Sequence, residues 1–166
     1  MQTQERPVFS VNRNHDAPQI VLRASEKNIY FTGKDSPNSF NHSLPVSLNE
    51  VVQSWLDHRF VINHQSDLKI VFDVQQLEMV KNPKAIRKWY VFNNEEYVLT
   101  YQIRFSVLDK TQGVYYAVVK GQVKEQLPVK ASLMDKEKLW ADMISRMILA
   151  ADGKLTEQIP DIVKSS

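Results

Sequence analysis

The sequence predicts one α+β domain in which a mostly antiparallel sheet carries two helices on a single face. Three observations lead there. Two segments repeat apolar residues at helical spacing, several others alternate apolar and polar residues strictly, and the strand-like runs cluster between the helix-like ones. The expected order is hairpin, helix, three-strand meander, helix, over residues 19–163, preceded by a flexible N-terminal arm or tether over residues 1–18.

The arm carries Pro7 and Pro18 among scattered polar residues. Two short β-rich runs follow, 19–23 and 28–32, around the polar link Ala24 to Lys27, and a hairpin is the simplest reading. "KDSPNSFNHSLP" is turn chemistry and closes it. In "VSLNEVVQSWLDHRF", Ser47 and Glu50 have the spacing of a capping box, and Val46 and Val51 that of a hydrophobic staple. Leu48, Val51, Val52, Trp55 and Leu56 then mark one buried helical face, with the end expected near Arg59.

In "LKIVFDVQ", Leu68, Ile70, Phe72 and Val74 share one side, and the phase slips before Leu77 and Met79, which predicts a bulge near Gln75 and Gln76. Tyr97, Leu99, Tyr101, Ile103, Phe105 and Val107 form the apolar face of the next strand. After the turn "DKTQG", Tyr115, Ala117, Val119, Gly121 and Val123 oppose Tyr116, Val118, Lys120, Gln122 and Lys124. Ser132 then caps a second helix with Asp135 three residues on, its stripe is Trp140, Met143, Ile144, Met147, Ile148 and Ala151, and Asp152-Gly153 reads as its stop. A final turn holds Leu155, Ile159 and Ile162.

A length of 166 residues with 43% hydrophobic and 24% charged residues fits one packed core and leaves no room for a second full domain. The absence of cysteine removes disulfides, thiolate chemistry and Cys-ligated metals. A net charge of +2 is too small for binding driven by phosphate neutralisation, so no nucleic acid is expected as partner. No apolar run reaches the roughly 18 residues of a membrane span.

Nor does the sequence announce a reaction. His15, His42, His58 and His64 have no metal-ligand spacing, and Glu95 and Glu96, as strand neighbours, point to opposite faces. Neither a nucleophile elbow nor a phosphate-cradling glycine loop is present among only four glycines. No catalytic residue, cofactor or metal is expected.

One stretch stands apart. "KNPKAIRKWYVFNN" joins two strands, holds no carboxylate, and combines Lys81, Lys84, Arg87 and Lys88 with Trp89, Tyr90 and Phe92. Pro83 is expected to break the preceding strand. The stretch reads either as a long connection with hydrated cations, or as a partner-binding projection whose aromatics supply contact area and whose cations steer it toward an acidic protein surface or anionic lipid head groups. Those seven residues are the candidate partner-binding set, together with the polar face of the sheet.

Over residues 40–163 the order "LPVSLNEVVQSWLDHRF", "LKIVFDVQQLEMV", "YAVVKGQV", "DKEKLWADMISRMILAADGKLTEQI" resembles the YajG-like lipoproteins of the bacterial envelope. "PQIVLRASEKNIYF" before a capped helix is similar also to the auxiliary lipoproteins of envelope ABC-transport systems. The resemblance implies a non-catalytic, periplasm-facing domain, tethered to the outer membrane by an acylated N-terminal cysteine and serving as a binding or scaffold component. This chain has no such cysteine, so the implied placement requires that Met1 replace a removed leader and lipobox, with residues 2–18 as tether. A homo-oligomer is compatible with that role. The alternative is a cytoplasmic module that binds nucleic acid or a small ligand.

Overall fold

The computed structural model describes residues 9–85 and 93–165, with residues 83–85 and 93 described in backbone only. Its elements are β1 (Ile20–Leu22), β2 (Glu26–Phe31), α1 (Leu48–Arg59), β3 (Phe60–Ile62), β4 (Leu68–Ala85), β5 (Asn93–Asp109), β6 (Gln112–Pro128) and α2 (Leu133–Gln158). Short 3-10 turns cover Asn41–Ser43 and Asp161–Val163. The molecule is α+β, with both helices on one side of a four-stranded sheet ordered β2-β4-β5-β6.

Local chemistry forms the helices where the sequence places them. The Ser47 Oγ accepts from the Glu50 amide at 3.3 Å, and the Ser132 Oγ from the Asp135 amide at 3.1 Å. α1 buries Leu48, Val51, Val52, Trp55 and Leu56 and ends at Arg59. The meander also follows the alternation. All six apolar residues from Tyr97 to Val107 are buried, and the register of β4 against β5 slips between Val74 and Gln76, at the expected bulge.

Three expectations are corrected. The predicted hairpin does not form, because β1 pairs in parallel with β3 and β2 in parallel with β4, from Glu26↔Lys69 to Phe31↔Val74. Parallel neighbours need a crossover of a dozen or more residues, usually helical, and the segment holding α1 supplies it. Burying Ile29 and Phe31 beside Phe72 and Val74 gains more apolar contact than a short hairpin of two runs could.

Asp152-Gly153 does not stop α2, which continues to Gln158. A glycine inside a helix costs about 1 kcal/mol, whereas burying Leu155 one turn on contributes about 1.5–3 kcal/mol. Pro83 likewise does not break its strand, since β4 runs to Ala85 with Pro83 opposite Glu95. Proline is tolerated there because β2 pairs with β4 only as far as Val74 and the segment after β2 bridges it only as far as Val80, which leaves the end of β4 an edge among the described residues.

Residues 9–18, expected as a loose arm, lie across both helices. The Asn12 amide donates to the Ser145 Oγ of α2 at 2.9 Å, the His58 ring meets the His15 carbonyl oxygen at 2.9 Å, and Arg59 donates to the Pro18 carbonyl. Phe9 and Val11 pack against the core from outside.

Candidate partner-binding surface

Because both helices cover one side, the opposite side of the sheet is open. Strand parity decides what it presents. Residues paired across the sheet point the same way, so Tyr30, Asp73, Arg104 and Val118 form one row, and Asn28, Val71, Ser106 and Tyr116 the next. Tyr116 is 65% exposed and Tyr30 52%, with Val114 and Val118 also exposed. The Arg104 guanidinium lies 4.5 Å from the centre of the Tyr116 ring, a cation–π contact that holds the ring over the face.

Asp73, the cross-strand neighbour of Arg104, accepts instead from Thr32 Oγ1 at 2.6 Å. The Arg104 Nε is buried without a hydrogen-bond partner among the described residues. Farther along, β6 shows Lys120, Gln122 and Lys124. One end of the open face is therefore aromatic and apolar, and the other is polar and basic. This combination suits adhesion to a surface with both greasy and acidic character.

The β4–β5 ribbon extends beyond β2 to the pair Ala85↔Asn93. Of the predicted set, Lys81 lies in β4 opposite Tyr97, exposed, with its Nζ 3.8 Å from Glu95 Oε1 and 5.5 Å from the centre of the Phe40 ring. Lys84 lies in the same strand opposite Asn94. Arg87, Lys88, Trp89, Tyr90 and Phe92 fall outside the described residues.

Beneath Lys81 sits a compact cluster. Phe40 is edge-on to Trp140 at 5.0 Å, and Tyr97 lies edge-on to Trp140 at 5.7 Å. The Tyr97 hydroxyl donates to Glu95 Oε2 at 2.5 Å, and Lys136 Nζ lies 3.5 Å from the same oxygen. Burial works to raise the Glu95 carboxyl, but the Tyr97 hydroxyl and the ammonium groups of Lys136 and Lys81 outweigh it and hold the group below its ordinary value. Burial, reinforced by the Glu95 carboxylate, pushes the Tyr97 hydroxyl well above its own.

These opposite shifts set opposite pH windows. The stability due to Glu95 is present above the unfolded carboxylate range and is lost as pH falls through its lowered folded value. That due to neutral Tyr97 is present below about pH 10 and declines above it, since the unfolded chain ionises first. Urea titrations of Tyr97→Phe and the parent, repeated from neutral to strongly alkaline pH, should therefore converge as pH rises. A difference independent of pH would show that Tyr97 acts by packing alone.

The polar group that sequence reasoning missed is Asp152. Only 7% exposed, it accepts from Trp55 Nε1 at 2.9 Å and from Arg59 Nε at 3.0 Å, joining α2 to α1. The signal was available, since Trp55 and Arg59 are four apart on one helical face and a buried indole needs an acceptor. Glu78, also 7% exposed, accepts from the Ser36 amide at 3.1 Å and from the Ser36 hydroxyl, fastening the loop after β2 to β4. Both buried carboxylates are thus engaged in joining elements. His15 and His58 do meet, with ring centres 4.6 Å apart, and no group of three or more His, Asp or Glu residues among the described ones could hold a metal.

No family model and no curated protein matches the chain. Among solved structures it is similar to a minor lipoprotein from Acinetobacter baumannii, with 8% identity over 86% of this chain and 98% of that one, at a TM-score of 0.42. A DUF330 protein from Xanthomonas campestris is 10% identical over 92% of this chain and 97% of that one, at a TM-score of 0.37. The rare lipoprotein B from Shewanella oneidensis is 14% identical over 78% of this chain and 96% of that one, at a TM-score of 0.39. At these values the likenesses bear on neither family nor function.

Proposed function

We propose that this chain is a non-catalytic domain of a bacterial envelope lipoprotein, facing the periplasm from the outer membrane and acting as a binding or scaffold component. The observation that carries the binding role is the uncovered sheet face, where Val114, Tyr116 and Val118 are exposed along β6 and the Arg104 guanidinium lies over the Tyr116 ring. Isolated surface apolar residues need no explanation, but Val114, Tyr116 and Val118 are neighbours along one strand of that face, and such a cluster marks a contact site. The envelope placement draws on the resemblance of residues 40–163, and the basic-aromatic stretch 81–92 supplies an approach to acidic surfaces or anionic head groups.

Two experiments test the two halves of this reading. Expressed from the natural gene with its upstream coding sequence, the protein should incorporate labelled palmitate and fractionate with the outer membrane. An unlabelled product in the cytoplasm would remove the placement. Replacing Lys84, Arg87, Lys88 and Trp89 together with Ala should leave the melting temperature unchanged. At about 1 kcal/mol per cation near a charged bilayer, it should weaken co-sedimentation with phosphatidylglycerol vesicles by roughly a hundredfold. Undiminished vesicle binding, or salt-dependent retention on single-stranded DNA in its place, would count against the lipid-facing role and for a nucleic-acid module.

A further inference from the structure

We infer that the aromatic end of the open face holds a pocket for a small amphiphile with one carboxylate and an apolar tail, the carboxylate on Arg104 and the tail against Leu108, Val114 and the Tyr116 ring. A bulge makes the hollow. Tyr115 faces Val107, but one step on Gly113 rather than Val114 faces Leu108, so Val114 is the extra residue of β6. Bulges are over-represented beside functional sites because they re-aim side chains. Here the shift brings Gly113, which has no side chain, onto the same face as Arg104 and Ser106. A hollow of about 460 Å³ opens among Arg104, Ser106, Leu108, Gly113, Val114 and Tyr116, a size within the range of small-ligand sites.

The polar groups of this hollow are uncommitted. Among the described residues Arg104 makes no ion pair, and its Nε is shut off from water without a hydrogen-bond partner. A half-buried guanidinium left in that state gains from any acceptor that reaches its fork. The Ser106 hydroxyl, next on the same face, also has no partner among the described residues. The other charges nearby are engaged, since Asp73 accepts from Thr32 Oγ1 at 2.6 Å and Lys69 Nζ lies 3.4 Å from Glu26 Oε2. Charge and shape then choose the ligand. A phosphate dianion would face Asp73 with a single cation to offset it, whereas a carboxylate is singly charged and planar and matches the fork in two parallel bonds. The walls beside the guanidinium are apolar, and a carboxylate on an apolar chain covers them where a hydrated inorganic anion does not. The inference rests on the open face being the contact surface, and names the chemistry taken at one end of it.

Octanoate is the probe. Titrated into the isotope-labelled full chain, it should shift the amide resonances of Ser106, Gly113 and Tyr116 and saturate in roughly the millimolar range, while octanol and inorganic phosphate at the same concentration should not. Arg104→Gln should weaken octanoate binding about ten- to a hundredfold, the loss expected when a charged hydrogen-bond partner is removed. Gly113→Val keeps Arg104 and fills the hollow instead. Its Cβ would meet only Leu108 Cδ2, at 3.9 Å, and the position needs no left-handed backbone, so the variant should fold and lose the same binding. Circular dichroism of both variants should match the parent. An absence of octanoate shifts, octanol binding equal to octanoate, displacement by equimolar phosphate, or undiminished binding in either variant would each overturn the inference. The same spectra recorded with phosphatidylglycerol vesicles separate this pocket from the reading beneath it. Open-face resonances that broaden with vesicles but ignore octanoate would overturn the pocket alone, and resonances silent toward both would remove the contact face with it.

Discussion

Asp152→Ala should destabilise the protein by about 3–5 kcal/mol, because it strands the Arg59 guanidinium in a site where its side chain is only 13% exposed. For a chain of this size that loss lowers the melting midpoint by roughly 6–20 °C. The same change frees the Trp55 indole N–H, which is fully buried and loses its only acceptor among the described residues. Arg59→Met combined with Asp152→Leu should recover much of the loss, since apolar replacement of a buried pair is often neutral, while the unsatisfied indole still costs about 1–3 kcal/mol. Arg59 also donates to the Pro18 carbonyl, so Asp152→Ala should speed proteolysis within residues 9–18. Urea unfolding followed by tryptophan fluorescence measures the first effect. A loss below about 1 kcal/mol would mean the bridge contributes no more than an exposed ion pair.

Phe72→Ala should cost about 3–5 kcal/mol by cavity formation. The ring is fully buried, 5.3 Å centre to centre from both Phe60 and Phe105, and opposite Ile29 of β2 in the parallel pair. The cavity would open where β2, β3, β4 and β5 converge. Tyr116→Ala removes a larger ring from the open face and should cost below about 1 kcal/mol, limited to its contact with Arg104. Thermal unfolding of the two variants side by side checks both values. Equal losses would contradict the assignment of faces.

That assignment was legible in the sequence because the period of a strand is two and the period of a helix is 3.6, whatever the rest of the chain does. Alternation put Phe72 and Tyr97 inward and Tyr116 and Val118 outward, and the caps at Ser47 and Ser132 followed from neighbours three residues away. The open face was therefore readable. Its apolar end is harder to see, because Tyr116 and Val118 share their side of the strand with Lys120, Gln122 and Lys124.

By itself, then, the sequence determined the class, the meander, the bulge, the inward faces and the starts of both helices, since each depends on contacts within a few residues. Only the tertiary structure decided which strands β1 and β2 would join, how far α2 would run, and where residues 9–18 would lie. Those outcomes turn on partners up to 133 residues away, and local propensity carries no information about which distant surface will offer the larger burial or the matching charge.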